Sequence, residues 1–132
     1  MMPAAPGVIE QACARLVALY GYLNDARDVD ALAALFTVDA ILYRPAAPAL
    51  AIVGRDAIRA SFAARPPGAT FHVCTDVVID VEDAEHATGR SRILLLKEGG
   101  AAPLPGIFQD RFRLTGEGWK FSERRGALWL PA

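Results

Sequence analysis

Between Val8 and about Asn24 the apolar residues Ile9, Ala12, Cys13, Leu16, Leu19, Tyr20 and Leu23 recur at the spacing of one helical stripe, which predicts a long helix packed on something large. Asp28 is a good N-cap for a second, short helix whose buried face is Leu32, Leu35 and Phe36. Ala40 to Arg44 reads as a strand stopped by Pro45, and Leu50 to Val53 as another that Gly54 ends. Arg55 and Asp56 open a third helix with Ile58 and Phe62 inward, and Arg65-Pro66-Pro67-Gly68 terminates it.

Only strand patterns follow. Thr70 to Val81 alternates at Val77, Ile79 and Val81, and Ala87 to Lys97 returns after an acidic turn. A loop containing Gly99, Gly100, Pro103 and Pro105 leads to a hairpin of Ile107 to Leu114 and Trp119 to Arg125. The order ααββαββββ predicts an α+β domain with helices segregated on a curved antiparallel sheet. Residues 1–7 are expected to be a flexible start and 8–132 a single domain.

Strand parity puts Phe108, Phe112 and Leu114 on one face with Asp110. A carboxylate among apolar side chains is costly unless paired, hydrogen-bonded or protonated. Arg125, sharing a face with Trp119 and Phe121 on the next strand, is its natural partner, and a role for Asp110 in orienting a ligand is the rival. His72 alternates with Cys74 and Val78, yet both faces of its strand are partly apolar, so its direction stays open without a bulge.

A length of 132 residues suits one domain that needs no disulfide or metal to hold it together. The hydrophobic fraction is 53%, but no apolar run approaches a membrane span. Fourteen basic and fifteen acidic side chains give a net charge of −1, without the footprint of a nucleic-acid binder. Cys13 and Cys74 sit among apolar neighbours and read as buried free thiols, which suits the cytoplasm. No signal peptide pattern opens the chain. The two histidines lack ligands at metal spacing, and His86 beside Glu82-Asp83-Ala84-Glu85 reads as solvated.

Asp25 and His72 are the candidate chemistry. A carboxylate that meets an imidazole in an apolar cavity fixes its tautomer and makes it a general base near neutral pH. On an ideal helix Asp25 projects near Ala18 and Tyr22, off the apolar stripe, so it reaches a cavity only if the helix bends or ends there. Tyr20 projects close to the stripe's centre, and Tyr43 is placed to turn its hydroxyl into the same space.

The stretches Leu23-Asn24-Asp25-Ala26-Arg27-Asp28-Val29-Asp30, Gly54-Arg55-Asp56-Ala57-Ile58, His72 with its strand, Ala87-Thr88-Gly89-Arg90-Ser91, Asp110-Arg111-Phe112 and Gly118-Trp119-Lys120-Phe121 resemble the SnoaL-like branch of the NTF2-like superfamily with its cystatin-like fold. The resemblance implies a cone of three helices on a strongly curved, mainly antiparallel sheet enclosing a deep pocket. Asp25 and His72 match the dyad of scytalone dehydratase, bile acid 7α-dehydratase and hexachlorocyclohexane dehydrochlorinase, and Tyr43 resembles a tyrosine that places a water or leaving oxygen. Scytalone dehydratase's second histidine falls on Lys97, its other helix-end tyrosine on Asn24, and its polar Ser and Asn on Gly106 and Phe108, which excludes that enzyme's substrate.

The resemblance therefore implies a cofactor-independent lyase or isomerase for a small, mainly apolar, cyclic metabolite. Asp25, His72 and Tyr43 would be catalytic, and Tyr20, Lys97, Phe108, Asp110 and Arg125 would contact the substrate. A rival from another class is a non-catalytic binding or assembly module, like the small subunits of ring-hydroxylating dioxygenases. Carboxylate-led epoxide hydrolysis or ketosteroid-type isomerisation ranks lower. A homodimer through the outer face of the sheet, with Val77, Ile79 and Val81 as its apolar strand positions, is the expected assembly, with neither nucleic acid nor membrane as partner. Leu128, Trp129 and Leu130 are apolar and need cover.

Overall fold

The structure, a computed structural model, describes residues 2–129; Leu130 lies outside them. Helix α1 spans Pro6–Ala26 and starts two residues before Val8, with Pro6 in the first turn, where its missing N–H costs nothing. Arg27 ends it in the left-handed conformation (φ 56°), its N–H donating to Asn24 O and that of Asp28 to Leu23 O. The conformation is unfavourable for a side chain other than glycine. It is held because the Arg27 guanidinium donates to the carbonyls of Pro66 and Gly68 at 2.9 and 2.7 Å.

Asp28 then caps α2 (Val29–Ala33), accepting from the Ala31 N–H at 3.1 Å. Phe36, expected on the buried face of this helix, is buried but opens strand β1 (Phe36–Arg44) instead. Next come β2 (Ala47–Val53), α3 (Arg55–Ala63), β3 (Thr70–Val81), β4 (His86–Lys97), β5 (Leu104–Thr115) and β6 (Gly118–Leu128). The order ααββαββββ stands, although β5 takes in Leu104 and Pro105 from the expected loop.

The six strands form one curved sheet in the order β2-β1-β6-β5-β4-β3, antiparallel except for β1 beside β6. Two bulges decide which side chains face the helices. In β3 the register shifts between Thr75 and Val78, with Asp76 at φ 53°, so His72 and Cys74 face inward before the bulge and Val77, Ile79 and Val81 after it. Those three residues pack against the core, which corrects their expected place on an outer apolar face. Phe71, Val78 and Leu96 are the exposed ones there. In β6 the register shifts where Arg111 pairs with Glu123 and Phe112 with Phe121, leaving Ser122 as the extra residue.

The core is the α1 stripe of Ile9, Cys13, Leu16, Val17 and Tyr20 laid on Phe108, Phe112 and Phe121, with Leu32, Phe36, Ile58 and Phe62 closing the sides. Tyr20 meets Phe36, Phe62, Phe108 and Phe121 edge-on at 5.5–6.4 Å between centroids. Leu114, expected to share the face of Phe108 and Phe112, is 40% exposed near the strand's end. No helix among the described residues is long and apolar enough to cross a membrane.

Gly126 sits at a close crossing of β6 with Pro45 and Phe108. A Cβ there would lie 2.7 Å from Cδ of Pro45, 2.8 Å from its Cγ and 2.9 Å from Phe108 Cε1. Proline and a buried aromatic ring yield little, so Gly126→Ala is expected to destabilise the protein by roughly 1–3 kcal/mol through overpacking. Urea titration measures this directly, and an unchanged midpoint would show that Pro45 has room to retreat.

Candidate active site

A cavity of about 580 Å³ opens between the end of α1, the 66–69 segment and the concave face of the sheet. Tyr20, Phe62, Ile93, Leu95, Leu104 and Phe108 give it an apolar wall, and His72, Thr70 and Lys97 stand on its β3/β4 flank. Among the residues expected to contact substrate, Tyr20, Lys97 and Phe108 therefore line this space.

Asp25 and His72 meet. The Asp25 Oδ1 is 2.6 Å from His72 Nδ1 and accepts from the Thr70 hydroxyl at 2.9 Å, while Oδ2 accepts from the His72 backbone N–H at 2.9 Å. The helix ends there: Asp25 lies in its last turn, one residue before its final residue Ala26, and Arg27 caps it. Asp25 is indeed off the core stripe, but β3 lies against that second flank of the helix. Gly21, one turn earlier, permits the approach: a Cβ there would come within 3.0 Å of Cys74 Sγ and 3.5 Å of His72 O.

Both side chains are largely shielded, at 10% exposure for His72 and 24% for Asp25. An ionised Asp25 accepts the proton of Nδ1, which leaves Nε2 as the basic nitrogen available to the cavity. Three contacts from β3 fix the carboxylate, so the imidazole is held in one orientation and one tautomer.

Tyr43 and Arg125 do not belong to this site. The β6 bulge turns Arg125 to the outer face, 49% exposed, with its guanidinium 4.1 Å from the Tyr43 ring centroid. The partner expected for Asp110 is accordingly one residue off. Arg124 is completely buried, its Nε 3.7 Å from Asp110 Oδ1 and its guanidinium 3.8 Å from the Phe108, 4.2 Å from the Tyr20 and 4.6 Å from the Phe121 ring centroids. Neither Asp110 oxygen and none of the Arg124 nitrogens finds a hydrogen-bond partner among the described residues.

Burial pushes the Asp110 carboxyl up to about 6 against the opposing attraction of Arg124. The pair stands behind Tyr20 and Phe108, and Asp110 does not line the cavity, contrary to its expected contact with substrate. Cys13 and Cys74 are free thiols, and burial with the nearby Asp110 charge pushes Cys13 up to about 12, an unreactive state. His86 is half exposed beside Asp83 on the surface.

Sequence reasoning passed over three cavity cations, the first of them Arg27 at the end of α1. Arg65, read only as part of a helix stop, donates to Asn24 Oδ1 at 2.6 Å and to Asn24 O at 3.2 Å, tying the third helix to the end of the first. Arg44 continues the inward parity of Ala40 and Leu42 into the cavity.

The SnoaL-like domain model matches residues 9–125. The chain belongs to the SnoaL-like family. A provisionally named scytalone dehydratase from Novosphingobium aromaticivorans is similar in structure, with 25% identity, a TM-score of 0.82, and coverage of 93% of this chain and 85% of that one. An NTF2-like protein with a cystatin-like fold from the same organism has 23% identity and a TM-score of 0.82 over 92% and 82% of the two chains. A hexachlorocyclohexane dehydrochlorinase of type 2 has 18% identity and a TM-score of 0.82 over 93% and 86%. No curated protein matches the sequence. This SnoaL-like chain thus has the NTF2-like, cystatin-like cone.

Proposed function

We propose that this protein is a cofactor-independent lyase or isomerase acting on a small, mainly apolar, cyclic metabolite. The observation that carries the reading is the 2.6 Å contact of Asp25 with His72 Nδ1 at the wall of a largely apolar cavity. The dehydratase and dehydrochlorinase named among its structural relatives supply eliminations as the reaction class to try first.

In the proposed elimination, Nε2 of His72 takes a proton from carbon next to an activating group, and Asp25 stabilises the imidazolium. The C–H electron pair becomes the new C=C bond as the bond to the leaving oxygen breaks. With Tyr43 on the other side of the sheet, the imidazolium itself is the nearby donor that returns the proton to the leaving oxygen, which departs as water. One residue thus acts as base and then acid, a sequence suited to syn geometry.

The test is a panel of cyclic β-hydroxy ketones and β-hydroxy esters, followed by the ultraviolet absorbance of the conjugated product. Turnover by the wild type that His72→Gln abolishes is the expected result. Binding of panel members without any product, and without exchange of their acidic C–H in D₂O, would make this a binding module instead.

A further inference from the structure

The cavity has a second chemical feature, a group of cations along its wall. Arg27, Arg44, Arg65 and Lys97 line it against the single carboxylate of Glu98, in a chain whose net charge is −1. Cations gathered in a partly closed space repel one another. Burial, Arg27 and Arg44 together push the Arg65 guanidinium below the ordinary arginine value.

Two of the arginines have structural employment. Arg27 is tied to the Pro66 and Gly68 carbonyls, and Arg65 to Asn24. Arg44 is different: its guanidinium lies 4.5 Å from the Phe62 ring centroid, and its Nη2 is buried with no hydrogen-bond partner among the described residues. Arg44 is itself half-buried and lines the cavity, and no side-chain hydrogen bond among the described residues engages its guanidinium, so an acceptor on a bound ligand has donors to meet there.

We propose that Arg44 receives a carboxylate of the ligand, so the molecule that fills this cavity is an apolar ring system carrying a carboxylate as a recognition handle. A guanidinium over an aromatic ring keeps its N–H groups, which lie in its own plane, free to donate to a carboxylate. Arg65, 5.3 Å from the same Phe62 centroid, adds long-range attraction. Arg44 is on β1 and His72 on β3, with β6, β5 and β4 between them in the sheet order, so the handle and the reacting carbon would be held by different strands.

This inference rests on the reading of the cavity as a small-molecule site and not on the chemistry at His72. Its test is calorimetric or NMR-detected binding of 2-naphthoate and of 2-naphthalenemethanol, a near-isosteric neutral probe. Wild type is expected to prefer the carboxylate at least tenfold. Arg44→Gln should erase the preference while leaving the neutral probe's affinity unchanged, and Arg44→Lys should keep part of it. Arg44→Met, which retains an unbranched stem over Phe62, replaces Arg44→Gln if that variant does not fold. Arg125→Gln, which removes one positive charge from the outer face, should leave the preference intact.

Equal binding of the two probes by wild type, survival of the preference without Arg44, or no binding of either probe would each overturn the proposal. The two readings fail separately. A carboxylate preference without any turnover leaves Arg44's role standing and removes the lyase, whereas His72-dependent turnover of neutral compounds without that preference does the reverse.

Discussion

Arg124→Met is expected to destabilise the protein by roughly 3–5 kcal/mol, the usual cost of removing one member of a buried ion pair and stranding the other. Asp110 has no hydrogen bond to either oxygen among the described residues, so Arg124 supplies its main compensation. The loss of cation–π contact with Tyr20, Phe108 and Phe121 adds to the effect. The double variant Asp110→Leu with Arg124→Met strands no charge and should recover most or all of the wild-type stability. Urea unfolding at pH 7 separates the cases, and a loss below about 1 kcal/mol in the single variant would mean that Asp110 gains little from its neighbour.

The same pair gives stability a definite pH dependence. Asp110 has its folded pKa raised from 3.8 to about 6, so between those values the folded state binds more protons than the unfolded state. Stability from this group is therefore greatest below about pH 4, falls as the pH rises toward 6, and is level above that, a change on the order of 3 kcal/mol. Arg124 opposes the upward shift. Without it the window extends above pH 6, and the deficit of Arg124→Met relative to wild type should widen between pH 6 and 8. The double variant should lose this component of the slope.

The elements were legible because their periods are clean. The α1 stripe from Ile9 to Tyr20, the Asp28 cap, the α3 face at Ile58 and Phe62, and the β5/β6 hairpin all follow from spacing and local capping chemistry. Sidedness failed where a bulge inserts one residue. Ser122 shifts β6, so the rule that a buried carboxylate needs a cation pointed to the correct strand and the wrong arginine. That one residue also removed Arg125 from the site and placed it over Tyr43. Asp76 does the same in β3, which is why neither face of His72's strand looked wholly apolar. Bulges depend on pairing between strands that are distant along the chain, and alternation within one strand does not encode them. The position of Asp25 was opaque for a related reason: helical phase says which flank a residue occupies and not that β3 lies there. Gly21 was the available signal, a residue without a side chain one turn before the acid. Arg44's inward parity with Ala40 and Leu42 was legible too, but a charged strand end before Pro45 reads as surface.

His72→Gln is expected to lower kcat by about 10²–10⁴-fold on any substrate that the elimination screen yields, since glutamine cannot take the proton. Asp25→Asn separates positioning from bulk polarity. Asparagine is nearly the same size and its oxygen can still accept from the His72 N–H, while its NH₂, in the place of Oδ1, can donate to Nδ1 and to the Thr70 hydroxyl oxygen. That bond favours the opposite tautomer, with the proton on Nε2, and removes the charge that stabilises the imidazolium; the expected loss reaches up to about 10⁴-fold in kcat. The imidazole ¹⁵N shifts give a readout that a purely structural role would not move. Wild type should carry its neutral-form proton on Nδ1, and Asp25→Asn should transfer it to Nε2 without a collapse of the fold. If Asp25→Asn keeps full activity while His72→Gln has none, Asp25 only fastens the helix to β3. If His72→Gln itself retains activity, the proton is taken by another group and the proposed lyase mechanism fails at its first step.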